Sequence, residues 1–249
     1  MRLLLDGDLF AYRCSASAEN ENVGIACSRV DLLLDQIITD LNATEYQFYI
    51  TGPTNFRYQI YPEYKANRSD QSKPKHLADV RNYLLLEHNA IMSDGCEADD
   101  LMGIAQCARL ECIAGNPFDS GGETMIVSLD KDMLMIPGNH YSWQIEGGSP
   151  EKRWKKEAIQ RLVSPLDGLR WFYTQMLQGD PSDNIKGVKG IGKVGALHMV
   201  GGCTTEREMF DIVRDAYSCD EEMLMNGKVL WIMREKDKQW EFPFETEEL

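Results

Sequence analysis

Thr124-Met-Ile-Val-Ser-Leu-Asp-Lys-Asp132 is a short apolar run that passes directly into two carboxylates. Its brevity, its branched side chains and the turn-forming residues before it predict a buried strand rather than a helix. The chain opens the same way, with Arg2-Leu-Leu-Leu ending at Asp6. Between the two lies a pattern of alternating elements. Ser28 is placed to cap a helix carrying Val30, Leu33, Leu34, Ile37, Ile38 and Leu41 on one stripe. Tyr46 to Thr51 reads as a strand and residues 52–75 as a loop. Leu77, Val80, Leu84 and Leu85 mark a helix, and Glu97 opens another with Leu101, Met102, Ala105 and Ala108 inward. Asn116 to Gly122 reads as a turn, and Tyr141 to Ile145 as one more strand. Strands alternating with helices predict an α/β fold with a mainly parallel sheet flanked by helices. In such sheets the binding crevice lies beyond the carboxyl ends of the strands, where Asp6 and Asp130 converge. After Pro165 the pattern turns helical, over 166–178, 194–200, 206–217 and 221–234. A boundary near Ser164 therefore divides a core, 1–164, from a helical subdomain, 165–249. There is no internal repeat.

Four acidic clusters stand out: Asp6-Gly-Asp8, Glu97-Ala-Asp99-Asp100, Asp130-Lys-Asp132 and Asp180-Pro-Ser-Asp183. Like charges brought together raise one another's pKa, so a fold that gathers them calls for a cation between them. Oxygen donors suit hard divalent ions, Mg²⁺ or Mn²⁺. On a helix, Glu97 and Asp100 share a face while Asp99 points elsewhere. In an extended segment Asp130 and Asp132 point the same way. Taken singly, each cluster reads equally well as a turn, a dipole-matched helix start or a solvated loop. The fourth cluster leads into Gly187-Val-Lys-Gly-Ile-Gly-Lys193. Glycines there let backbone amides approach phosphates, and Lys186, Lys189 and Lys193 add charge. The segment does not match a P-loop. Read blandly, it is a flexible link between helices.

Net charge is −14 over 249 residues, which at first argues against a nucleic-acid partner. If eight carboxylates are metal ligands, the rest of the chain carries only about −6. The cations also cluster, with Arg57, Lys65, Arg68, Lys73 and Lys75 in one group. Seven scattered cysteines without a Cys-x-x-Cys pair imply a reducing cytoplasm and no zinc site. No apolar run approaches the length of a membrane span, and the start is too short for a secretory signal. The acidic stretch from Glu245 to Glu248 reads as a solvated tail, and a monomer is the default.

The order Asp6-Gly, Tyr64-Lys-Ala-Asn-Arg68, Glu97-Ala-Asp99-Asp100, Ser128-Leu-Asp130-Lys-Asp132 and Gly179-Asp-x-x-Asp183-Asn-Ile-x-Gly187-Val-x-Gly190-Ile-Gly192 resembles the flap endonuclease and 5′→3′ exonuclease family. The resemblance covers about residues 1–200 and is strongest to the stand-alone bacteriophage enzymes. It implies a PIN-like core, a short arch at about 63–95, and a helix–three-turn–helix that holds duplex DNA. It implies hydrolysis of phosphodiesters with two or three divalent ions, in removal of RNA primers or 5′ flaps during replication in a bacterial or phage-infected cell. Asp6, Glu97, Asp99, Asp100, Asp130, Asp132, Asp180 and Asp183 match the family's metal ligands. Lys65 and Arg68 match its phosphate-gripping pair, with Tyr64 beside them. Arg57, Lys186, Gly187, Lys189, Gly190, Gly192 and Lys193 are the DNA-binding residues expected, with K⁺ held by carbonyls of the same turn.

One departure stands out. The family carries an acid shortly before the Phe-Arg pair, whereas Ile50-Thr-Gly-Pro-Thr-Asn-Phe-Arg57 has none, and Asp8 is the nearest substitute. The short arch favours exonuclease action on a duplex 5′ end or an RNA–DNA hybrid over flap cleavage. Two rivals stand: an inactive relative that binds branched DNA, and a PIN-type ribonuclease, disfavoured by the glycine hairpin.

Overall fold

Leu3 and Leu5 face one side of the central strand β1 (Arg2–Asp6) and Leu4 the other, all of them buried. That alternation recurs in β2 (Glu45–Ile50) and β4 (Thr124–Val127), so each strand feeds two cores. The computed structural model describes residues 1–68, 72–115, 123–149 and 152–244. The expected turn at 116–122 and the acidic tail lie outside the described residues.

The main sheet runs β3 (Ile91–Met92), β2, β1, β4, β5 (Gly138–Ser142), β8 (Ile159–Val163). All neighbours pair in parallel except β8, which is antiparallel to β5. The chain moves outward from β1 to β2 and β3, then returns through α5 (Ala98–Gly115) to β4 on the other side of β1. This reversal opens a crevice beyond the ends of β1 and β4. Asp6 and Asp130 stand on its two sides, as the sequence predicts.

One face of the sheet packs α1 (Gly7–Ser17), α2 (Val23–Leu41) and α4 (Leu77–Glu87) through Phe10, Val30, Ile37, Val80 and Leu84. The other packs α5 and then α6 (Pro165–Gln178), α7 (Lys193–Val200), α8 (Glu206–Ala216) and α9 (Asp220–Leu230). The core on that side runs without a break from Leu4 and Ile126 to Phe172, Phe210 and Val229. Of the segment 63–95, α4 is held in the opposite core by Val80 and Leu84, while Tyr64, Lys65 and Arg68 line the crevice.

Several boundaries differ from the sequence expectation. α2 starts five residues before Ser28, because the Asn22 side chain accepts the Gly24 amide at 2.8 Å and caps it earlier. The strand expected over 141–145 is two strands, β5 and β6 (Ile145–Ser149), and β6 turns out to form a hairpin with β7 (Lys152–Lys156). The loop 52–75 contains α3 (Arg57–Ile60) and a 3₁₀ turn, Ala66–Arg68.

Candidate active site

Eight carboxylates and three cationic side chains line the crevice. Asp6 ends β1 and caps α1, accepting the Leu9 amide at 3.0 Å and the Ser128 hydroxyl at 2.7 Å. Asp130 caps a 3₁₀ turn, Lys131–Met135, accepting the Asp132 amide at 2.8 Å. The segment is therefore not extended, and the two carboxylates do not point the same way by strand alternation. Asp132 accepts the Gln175 amide group at 2.7 Å. Asp180, in β9 (Gly179–Asp180), accepts the Ser182 hydroxyl at 2.6 Å and shares a hydrogen bond with Asp132. Asp99 faces Asp6 and Asp130 and makes no hydrogen bond or salt bridge among the described residues; the Lys65 charge offsets only part of the repulsion.

Across the pocket, Tyr64, Lys65 and Arg68 hold Glu97 and Asp183. The buried Tyr64 hydroxyl lies 3.0 Å from each of the two carboxylates, and burial and both charges push its pKa far above the usual range. Lys65 Nζ is 2.6 Å from Glu97 and 3.6 Å from Asp183. Burial works against its charge, but the two carboxylates hold it protonated. Arg68 pairs with Asp183 and donates to the Ser182 carbonyl at 3.1 Å. Lys65 has a left-handed backbone, φ 56°, anchored by its amide on the Asp183 carbonyl at 2.9 Å. A side-chain residue in that region is strained, and such strain collects at functional positions.

Two sequence-predicted residues are committed to each other instead. Asp100, expected among the metal ligands, is fully buried and outside the pocket lining. Arg57, expected at DNA, is 2 % exposed and grips Asp100 through both terminal nitrogens, at 2.6 and 2.9 Å. Asp100 also accepts the amides of Glu97 and Met233, each at 3.0 Å, which leaves it no free lone pair aimed outward. The helix rotates by about 100° per residue. Arg57 claims Asp100, and Asp99 turns to the crevice instead. In the stretch before Phe56-Arg57 that lacks an acid, the Thr51 hydroxyl accepts the Ala98 amide at 3.0 Å and its amide donates to Asp8 at 2.9 Å. Asp8 does line the pocket, but it is committed to Thr51 and Arg81.

The segment from α6 to α7 forms the tight connection expected. Gly187 is packed against the end of α6, where a Cβ would meet Gly179 N at 2.2 Å, so its role is close packing rather than an exposed amide. Gly190 has φ 87° with open space around it. The Val188 amide donates to the Leu177 carbonyl of α6 and the Ile191 amide to the Val188 carbonyl within the turn, while the amides of Lys189, Gly190 and Gly192 have no backbone partner among the described residues. Lys186, Lys189 and Lys193 are exposed beside them.

The lining fits hard divalent ions. Its donors are all oxygen, and the buried Gln175 Oε1 has no partner among the described residues. No three carboxylates among the described residues are already converged on one point. Instead, the charges are eased by protons and by Lys65. Burial, then the Asp130 charge, pushes Asp6 up to about 6, and the same causes push Asp132 up to about 7. Asp99 is raised by burial and by Asp6 and Asp130. Raised folded pKa values mean that the folded state holds extra protons between roughly pH 4 and 7, so stability falls as pH rises through that window. In EDTA the melting temperature is expected to drop by several degrees between pH 5 and pH 8. Mg²⁺ should restore most of it at pH 8 and little at pH 5. A melting temperature in EDTA that does not change with pH would refute this account of the crowding.

Sequence and structure comparisons bear on the family and the fold. The model of the 5′-3′ exonuclease N-terminal resolvase-like domain matches residues 1–162. DNA polymerase I of Mycobacterium tuberculosis strain H37Rv is 30 % identical over 230 residues, covering 85 % of this chain and 24 % of the polymerase. The thermostable DNA polymerase I of Thermus caldophilus is 28 % identical over 210 residues, covering 80 % and 23 %. The chain thus spans about a quarter of the length of the curated relatives it matches. Among solved structures, the bacteriophage T5 D15 protein co-crystallised with metal ions aligns with a TM-score of 0.59 at 16 % identity, covering 90 % of this chain and 86 % of that one. A T5 D15 flap endonuclease complex with DNA and metal ions aligns with the same TM-score and coverage. The fold is therefore the PIN-like one. No helix among the described residues is long and apolar enough to cross a membrane.

Proposed function

Because the chain belongs to the 5′-3′ exonuclease family, we propose that it is a metal-dependent, structure-selective 5′→3′ exonuclease or flap endonuclease acting in primer or flap removal. The observation that carries this reading is one pocket in which crowded carboxylates, with Asp99 unpartnered among them, face the Lys65–Arg68 pair. Asp6, Asp99, Asp130, Asp132 and Asp180, with the Gln175 carbonyl, would hold Mg²⁺ or Mn²⁺. Glu97 and Asp183 would join them once Lys65 and Arg68 turn away. Bound divalent ions activate water and offset charge on the phosphate. The chain's own part is to place the phosphate between the carboxylates and the two cations, which offset the charge that builds up on it. The segment after Ser164 grips the duplex with the amides of Lys189, Gly190 and Gly192 and the Lys186, Lys189 and Lys193 side chains, with K⁺ on carbonyls of the same turn. The substrate is a DNA duplex with a 5′ end or flap, or an RNA–DNA hybrid.

A second reading, branched-DNA binding without cleavage, draws on the missing acid before Phe56-Arg57 and on the commitment of Asp8 to Thr51 and Arg81. A 5′-labelled duplex separates the two. Nucleotides should be released with Mg²⁺ and not with EDTA, and Asp130→Asn should abolish release while duplex affinity survives. Wild-type turnover by Asp130→Asn would remove that carboxylate from the metal site. Tight binding with no release in Mg²⁺ or Mn²⁺ would favour the second reading.

A further inference from the structure

The β6–β7 hairpin is not explained by the site described above. All five residues of β7, Lys152-Arg-Trp-Lys-Lys156, are exposed. Lys155 pairs with Glu157 at 2.9 Å, while Lys152, Arg153 and Lys156 have no ion pair among the described residues. Cations without an ion pair on an exposed strand of a chain with net charge −14 point to a polyanion, and Lys156 lies 6.0 Å from the Trp154 ring centroid. Trp154 lies directly across the hairpin from Gly147, where a Cβ would come within 2.7 Å of its ring. The missing side chain lets the indole lie on the backbone of β6, and the residue is 47 % exposed.

Beneath the hairpin a groove of about 830 Å³ runs between it and α1. Tyr12, also 47 % exposed, and Arg13 line one wall, and Lys131, Ile145 and Lys156 the other. Its one acidic lining residue is Asp130, which lines the acidic pocket too. The groove therefore opens from the pocket past Asp130, and Lys65 and Arg68 are not part of it. Base pairs in a duplex are already stacked, so flat exposed rings beside cations serve unpaired bases best.

We propose that this hairpin and groove bind unpaired nucleotides of the strand being cut, with Trp154 and Tyr12 as stacking surfaces and Lys131, Lys152 and Lys156 on the phosphates, the last two sharing the Trp154 face of β7. The proposal rests on the reading above only in taking the acidic pocket as the place of cleavage.

The test measures binding by full-length protein in EDTA, by anisotropy, to a blunt duplex and to the same duplex with a 5′ oligothymidylate extension. Trp154→Ala should weaken binding of the extended duplex about tenfold and leave the blunt duplex unchanged, and Trp154→Phe should restore most of the loss. Lys152→Ser with Lys156→Ser should flatten the salt dependence for the extended duplex by roughly one and a half log units per log unit of salt. Emission lost in Trp154→Phe relative to wild type should be quenched by oligothymidylate. Equal losses on both substrates would make the hairpin a duplex contact and overturn the proposal. Unchanged binding in variants with wild-type melting temperature would reduce Trp154 to a cover for Gly147 and overturn it as well. If Trp154→Ala melts early, the lysine pair decides. Absence of cleavage in Mg²⁺ would count against the nuclease reading and leave these binding results standing.

Discussion

Arg57→Ala is expected to destabilise the protein by about 3–5 kcal/mol, a large share of the roughly 5–15 kcal/mol that holds a typical domain folded. The guanidinium makes two bonds to Asp100 and donates to the carbonyls of Val229 and Trp231 at 2.9 and 2.7 Å. It therefore ties α3, α5 and the C-terminal end of α9 together. Burial would push the Asp100 carboxyl up, but Arg57 and two backbone amides outweigh it and hold it below the usual range. Removing Arg57 strands a buried carboxylate that has no water to turn to. Urea unfolding at constant slope should show the loss, and Arg57→Met combined with Asp100→Leu should recover much of it, because an apolar pair leaves no orphaned charge. If Arg57→Ala unfolds at the wild-type midpoint and instead loses DNA affinity, the residue is a DNA contact after all.

That residue marks where sequence reading stops. Phe56-Arg57 sits ahead of Lys65 and Arg68, and in one dimension all three cations look alike. Only the packing of α9 over α3 takes Arg57 out of solvent. The choice between Asp99 and Asp100 was hidden for the same reason: their spacing on α5 is legible, but the direction of the helix face is set by Arg57, 43 residues earlier. By contrast, the strands at Leu3–Leu5 and Met125–Val127 declare themselves, because each is apolar on both faces and ends at an acid. The placing of Asp6 and Asp130 at the crevice follows from that and from parallel topology. Gln175 carries no signal, since a polar residue inside an amphipathic helix looks solvent-facing until α6 is seen against the 3₁₀ turn. The β6–β7 hairpin was missed because Gly147-Gly148 and a run of cations break the alternation that announces a half-buried strand.

Lys65→Ala is expected to lower the single-turnover rate at saturating DNA about a hundredfold, with little change in duplex affinity. Lys65 is part-buried, pinned between Glu97 and Asp183 and set on a left-handed backbone, which is not the placement of a solvated docking lysine. A docking lysine contributes through counterion release, so its loss weakens binding evenly and lowers the salt slope. A charge that meets the phosphate as negative charge builds up acts on turnover instead. Alanine also leaves Glu97 and Asp183 without their shared cation, so in EDTA the variant should lose stability as pH rises and recover it with Mg²⁺ more fully than wild type does. Lys65→Arg should keep the charge but not the fit between two carboxylates, and fall between the two in rate. Weaker binding with normal turnover at saturation would assign Lys65 to docking, and the cation opposite the carboxylates would then have to be Arg68 alone.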